Sequence, residues 1–151
     1  MTATNHAITA ANMALVAQAW WILPVALLSH FALDALPHYG EPTPEARAAR
    51  FKTILTVDAI MLVMLTWLVI VTVTSQYIWL VLLCMFLAML PDSVWAYRMY
   101  KERKEGELPM RNPITNFHAH IQWGEREWGW IIEIGWFVAM LSIFAGLVVA
   151  A

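Results

Sequence analysis

The chain has 151 residues, 61% of them hydrophobic and 13% charged, with nine tryptophans, nine methionines and a net charge of −2. Soluble domains carry charge on about a quarter of their residues, so this composition argues against a water-facing globule and for a small polytopic membrane protein of one domain. There is no basic stripe with a nucleic-acid motif, which argues against DNA or RNA as a partner. The single cysteine, Cys84, lies in an apolar run and supports neither a disulfide framework nor a thiolate zinc site.

No Lys or Arg precedes Arg47, so the basic region of a secretory signal peptide is missing and the first segment is expected to stay in place. That segment, Ala7–Pro37, would be about 46 Å long as one helix at 1.5 Å per residue, too long for a bilayer without strong tilt. It would also set Trp20-Trp21 in mid-membrane and Pro24 in a helix interior. A hairpin of two shorter helices, His6–Ala19 and Ile22–Leu36, removes both problems. Its turn near Gln18–Trp21 puts the tryptophans at an interface and Pro24 in a first helical turn. One unbroken helix is the alternative. The small residues Ala7, Ala10, Ala11, Ala14 and Ala17 predict close packing of the first arm on its neighbours.

Thr53–Ser75 and Tyr77–Tyr97 are each about 20 residues long, enough to cross roughly 30 Å of hydrocarbon. With only Ser75-Gln76 between them, a tight helical hairpin is expected. Trp128–Ala151 is the third apolar segment. The predicted fold is therefore all-α, a polytopic membrane helical bundle. It has three full transmembrane helices plus an N-terminal helical hairpin, with four transmembrane helices as the alternative.

All nine Lys and Arg fall in two loops, Tyr39–Lys52 and Arg98–Glu127. These spans put both loops on one side, which the positive-inside rule makes cytoplasmic, with the carboxyl terminus outside. Tyr77 and Trp79 would mark the outer interface, and Trp95, Tyr97, Trp123 and Trp128 the inner one. The mixed charges of Lys101–Glu105 read as a solvated helix extension that also suits anionic headgroups.

Chemistry concentrates in Ser29-His30-Phe31-Ala32-Leu33-Asp34-Ala35-Leu36-Pro37-His38. Two histidines and a carboxylate end an otherwise apolar segment, and ionisable groups near hydrocarbon are expensive enough to suggest function. His30 and Asp34 are four apart, so a helix stacks them on one face. Imidazole and carboxylate suit Zn²⁺, and also Fe or Mn.

On the predicted topology the other ligand types reach the same leaflet. Asp58 and Glu133 lie just inside their helices, Asp92 follows Pro91, His118 and His120 sit in the inner loop, and the hairpin returns His6 to this side. The candidate metal ligands are thus His6, His30, Asp34, His38, Asp92, His118 and His120, and the candidate general bases are Asp58 and Glu133. Each has a plainer reading. His30 and Asp34 can close a helix end as a hydrogen-bonded pair, and Asp58 and Glu133 can pair with loop cations. Asp92 can be a helix-terminus residue, His6 a solvated terminal one and His38 a loop one. His118 and His120 point the same way only in an extended segment. No Gly-rich phosphate loop, Gly-x-Ser-x-Gly elbow or cysteine nucleophile pattern is present.

The Ser29–His38 string and Met89-Leu90-Pro91-Asp92-Ser93 resemble motifs of the predicted membrane-bound metal-dependent hydrolases, a bacterial inner-membrane family. The resemblance covers about a third of the chain and implies a helical membrane protein with a His/Asp metal site. The spacing from His30 through Asp34 to Pro37-His38 is also similar to the His-x3-Asp…Pro-x-His string of zinc-dependent phospholipases C. There the first His and the Asp bind zinc and a second His follows the Pro by two; here His38 follows by one. The two elements also stand in the reverse of the family's usual order.

Two functions are compatible with these features. In the first, a divalent metal, zinc by preference, lowers the pKa of a bound water for attack on a phosphoester whose apolar tail lies among the helices at the cytoplasmic leaflet. Asp58 or Glu133 would serve as base. The partners are then membrane lipids and a lipid-like substrate. In the second, the chain is a non-catalytic membrane subunit, self-associating or within a larger complex, whose His/Asp cluster is structural or relays an ion.

Overall fold

The structure, a computed structural model, describes residues 1–40, 44–74, 76–105, 116–117 and 120–150; the side chains of 44–49, 51, 94–105 and 122 lie outside the description. It is all-helical. The long α-helices among the described residues are α1 (Ala3–Ala17), α2 (Ile22–Asp34), α3 (Pro44–Thr72), α4 (Ile78–Glu105) and α5 (Gly129–Ala150). Two two-residue strands, β1 (His38–Tyr39) and β2 (Glu125–Arg126), pair in parallel, with His38 opposite Glu125 and Tyr39 opposite Arg126.

The amino-terminal hairpin forms where a chain reversal was expected. α1 ends because Gln18 adopts the left-handed conformation (φ 48°, ψ 27°) while its N–H still reaches the Ala14 carbonyl, a simple left-handed helix stop. α2 then starts at Ile22, which puts Pro24 in the first turn, where its missing N–H costs nothing. It ends at Asp34, three residues before Pro37, since a proline disfavours helical backbone in the residue preceding it.

α1 is the hub. Its alanines Ala7, Ala10, Ala11 and Ala14 are fully buried, and it packs against α2, α3, α4 and α5. Small side chains allow that close approach on several sides. α4 packs chiefly on α1 and α2, whereas α3 leans on α1 and touches α4 little. The expected tight α3–α4 hairpin is therefore a short connection between helices that touch little, since each packs on α1 more than on the other.

Two helices are long and apolar enough to cross a membrane, α3 over Lys52–Thr72 and α5 over Gly129–Ala150. That is fewer than the three or four expected from sequence. Among the described residues α4 contributes a shorter apolar stretch, Ile78–Ser93.

The strand pair ties the chain leaving α2 to the chain entering α5. Gly129 lies directly against the His38 backbone, where a methyl group would overlap main-chain atoms, and Gly124 abuts the Leu36 carbonyl in the same way. α5 can start beside β1 only because its first residue has no side chain. One turn later, that start places Glu133 against Tyr39.

Candidate metal centre

The amino end of α1 is where the ionisable groups meet. His6 comes from α1, and His30 and Asp34 from successive turns of α2, as their four-residue spacing requires. Each of the three offers a ligand atom within 4.8 Å of the other two. All are buried: His6 and His30 are 0% exposed and Asp34 1%. The His6 and His30 rings stack with centroids 4.2 Å apart. Their Nε2 atoms address the two oxygens of one carboxylate, His6 at 3.1 Å from Asp34 Oδ1 and His30 at 3.1 Å from Oδ2. The Met1 ammonium lies 2.7 Å from the same Oδ1.

The tautomer of His30 follows from its other nitrogen. Nδ1 is 2.8 Å from the Ala88 carbonyl of α4. A carbonyl only accepts, so Nδ1 carries the proton and donates. In the neutral ring Nε2 is then a bare lone pair, yet it faces Asp34 Oδ2 at 3.1 Å and Asp92 Oδ1 at 3.6 Å. A lone pair against two carboxylates needs a proton, on the ring or on a carboxyl oxygen, or a metal ion between them. A histidine whose far nitrogen is held by a backbone carbonyl is the usual arrangement of a metal ligand. Two imidazoles and a carboxylate, buried together within this distance, could hold a metal ion.

Pro91 bears on this geometry. α4 runs through it, so the Leu87 carbonyl one turn back has no N–H donor at position 91. Ala88 belongs to that turn, and its carbonyl accepts from His30. Sequence reasoning used Pro91 only to locate Asp92. The acceptor for His30 is a main-chain carbonyl, so no side-chain type in the sequence signals it.

The remaining candidates surround the group. Asp92 touches it through His30 and is the partly exposed member, at 35%. His38 is buried beside it. Its Nδ1 donates to the Leu36 carbonyl at 2.8 Å, and burial, followed by the nearby Met1 ammonium, holds its pKa below the usual histidine value. Glu133 accepts from the Tyr39 N–H at 3.3 Å. Asp58 takes the first turn of α1: Oδ2 accepts from the Ala3 N–H at 2.9 Å, and Oδ1 from the Thr4 N–H at 3.1 Å and the Thr4 hydroxyl at 2.5 Å. Neither Asp58 nor Glu133 is within the three-residue group. His120 is exposed and also outside it; His118 lies outside the described residues.

A set of polar residues on α1 had not been singled out. Asn5 donates to the Glu133 carbonyl at 3.2 Å and Asn12 to the Met140 carbonyl at 2.8 Å, while the Trp136 indole donates to Thr9 Oγ at 2.9 Å. The signal was present as polar residues at i, i+4 and i+7 of an alanine-rich helix, the pattern of one helix face. A cavity of about 160 Å³ lined by Leu15, Gln18, Thr72, Tyr77 and Leu147 lies at the opposite end of α1. Gln18 is 12 residues from His6, or about 18 Å along the helix. No family model, curated protein or solved structure matches this chain, so the reading of the site rests on its own chemistry.

Proposed function

We propose that the protein is a polytopic membrane protein that holds a divalent cation, zinc by ligand type, between His6, His30 and Asp34, and that it hydrolyses a phosphoester carried on an apolar tail. The observation that carries this reading is the convergence of two buried imidazoles on one buried carboxylate, with His30 Nε2 facing Asp34 and Asp92 while its Nδ1 is held by a backbone carbonyl. A bound cation would supply Lewis acidity and lower the pKa of a water beside it. Three protein ligands of the type two histidines and one carboxylate are what catalytic zinc sites use, with a fourth position left for water or substrate. Asp92, partly exposed beside His30, marks the side from which a headgroup would approach. Lipid-facing α3 and α5, with α4 as third span and the α1–α2 hairpin, make up the proposed bundle. The resemblance of the Ser29–His38 string supports the hydrolase class and a bacterial inner membrane, with the charged loops cytoplasmic.

One feature favours the second reading, a closed structural centre in a membrane subunit. Of the expected bases, Asp58 has both oxygens engaged by the amino end of α1, and Glu133 has Oε1 engaged by the Tyr39 N–H. Elemental analysis of protein purified without chelator separates these outcomes. Near-stoichiometric metal, lost in His30→Ala and kept in Cys84→Ala, is expected. So is a metal-dependent release of phosphate from a lipid phosphomonoester in mixed micelles. Metal without hydrolysis, with every coordination position filled by protein, would replace the enzyme with the structural subunit. Full metal content in His30→Ala would end both.

A further inference from the structure

We propose that Asp58 is a positioning residue for the metal centre: by capping α1 from a different helix it sets His6 against Asp34. This rests on the metal reading above.

A helix leaves its first N–H groups without intrahelical acceptors. In α1, Thr2 is the N-cap residue, but its side chain makes no cap hydrogen bond. Its carbonyl accepts from Asn5 and His6, so the N–H groups of Ala3 and Thr4 are the ones left over. Asp58 takes both, one on each carboxylate oxygen. The Thr4 hydroxyl adds a bond to the same carboxylate and lies 3.1 Å from the Asp58 carbonyl. Thr4 is thereby gripped by main chain and side chain of one residue 54 positions away.

The same contacts answer the question of what Asp58 does in an apolar helix. Its neighbours Val57, Ala59 and Ile60 are apolar, and a carboxylate there needs a partner. The positive end of the α1 dipole and two aligned N–H donors provide one. No loop cation is required, which was the plainer expectation from sequence.

His6 follows Thr4 by two residues, about 3 Å further along the axis, so the grip on Thr4 fixes the height and rotation of His6. On the other side of this turn, Asn5 holds the Glu133 carbonyl of α5. The first turn of α1 is thus clamped between α3 and α5, and His6, on the residue after Asn5, is delivered to Asp34. Without the clamp, the end turn of a helix frays, and the centre keeps His30 and Asp34 but loses its third ligand.

The test uses the full chain in detergent, with Co²⁺ alone as the probe, read by affinity and by its visible d–d absorption. Asp58→Ala should weaken Co²⁺ binding at least ten-fold and move the spectrum toward that of His6→Ala. Asp58→Asn, which keeps one acceptor oxygen, should lie between. Because Asp58 acts through His6, adding Asp58→Ala to His6→Ala should change affinity less than two-fold, the non-additivity expected of coupled residues. Wild-type affinity and spectrum in Asp58→Ala would overturn the proposal, as would an undiminished loss in the His6→Ala background. If Asp58→Ala does not fold, judged by helical circular dichroism and melting, Asp58→Asn carries the same comparison. If the wild-type protein takes no Co²⁺, the metal reading fails, and the His6 ring ¹⁵N resonances of the metal-free protein decide the role of Asp58. A His6 signal that responds to Asp34→Asn in wild type but not in the Asp58 variant supports positioning, and an equal response in both refutes it.

Discussion

α1 and α5 are built on opposite rules. α1, the helix at the centre, buries Thr4, Asn5, His6 and Asn12 together with Ala7, Ala10, Ala11 and Ala14. α5, at the periphery, turns Ile131, Ile134, Val138 and Val149 outward and buries Glu133 near its start. α3 follows α5, with Val63, Met64 and Trp67 exposed. In water this distribution would be inverted, since apolar area is what folding removes from solvent. With hydrocarbon as the surround, apolar side chains gain nothing by turning inward, and polar groups must find partners inside the bundle. The hub can therefore be the more polar helix, and the ionisable cluster belongs at its end.

The largest effect that separates the two regions is expected at Asp34. Its carboxylate meets His6, His30 and the Met1 ammonium with almost no exposure. Asp34→Ala leaves two stacked imidazoles and an ammonium with only the longer contact from His30 to the partly exposed Asp92. Removing one partner of a buried ionic group costs about 3–5 kcal/mol. A steep fall in melting temperature in detergent and complete loss of bound metal are the expected readouts. A stable Asp34→Ala protein would show that the cluster is incidental to the hub.

Next comes a charge on the outer surface. Val63 is 69% exposed and sits near the middle of the Lys52–Thr72 span. Lysine at the centre of a membrane helix costs about 2.5–3.5 kcal/mol on insertion scales. Val63→Lys should reduce membrane insertion in a glycosylation-mapping assay and leave metal content of the inserted fraction unchanged. Full solubility of this variant without membrane would overturn the contrast between the two regions, because an exposed position in water tolerates lysine.

Gly129→Ala tests how the periphery is joined to the site. A methyl at Gly129 meets the His38 backbone, so α5 must shift and the His38–Tyr39 pairing with β2 must loosen. Overpacking of this kind costs about 1–3 kcal/mol. A lowered melting temperature with faster amide exchange at Tyr39, whose N–H is held by Glu133, is the expected pair of signs. Unchanged exchange would mean that the start of α5 does not depend on that contact.

The parts of this architecture that sequence made visible are those written in local patterns. The i, i+4 spacing put His30 and Asp34 on one face of α2, and the Gln18–Trp21 turn divided the amino-terminal segment. Long-range parts were hidden. α1 begins at Ala3 instead of His6 because the acceptors for its first turn belong to Asp58, 54 residues beyond Thr4. Asp58 had the composition of a base and the position of a cap, and only the tertiary contact distinguishes them. Ala88 contributes a main-chain carbonyl, which residue identity cannot announce. Asn5, Thr9 and Asn12 carried a periodic signal, but their partners on α5 are mostly backbone carbonyls, again invisible in side-chain types.

The smallest expected effect is at Asn12, and it asks whether polarity in the hub is needed for stability or merely tolerated. Asn12 donates to the Met140 carbonyl at 2.8 Å, while its Oδ1 is buried without a hydrogen-bond partner. These two facts oppose each other. Interhelical hydrogen bonds in membrane proteins average about 0.6 kcal/mol, and an unsatisfied buried acceptor costs about 1–3 kcal/mol. Leucine, close to asparagine in size, deletes both. The Met140 carbonyl is left without the side-chain donor, but as a helix carbonyl it can still accept along its own helix. Asn12→Leu should therefore leave the melting temperature of the detergent-solubilised protein unchanged or slightly raised, with metal content intact. Asn5→Leu, one residue from His6 and part of the clamp on the first turn of α1, should instead weaken metal binding. Equal outcomes for the two would mean that the polar face of α1 acts as one unit. Unequal outcomes would assign the clamp to the end of the helix that holds the cluster and leave Asn12 as a contact that packing can replace.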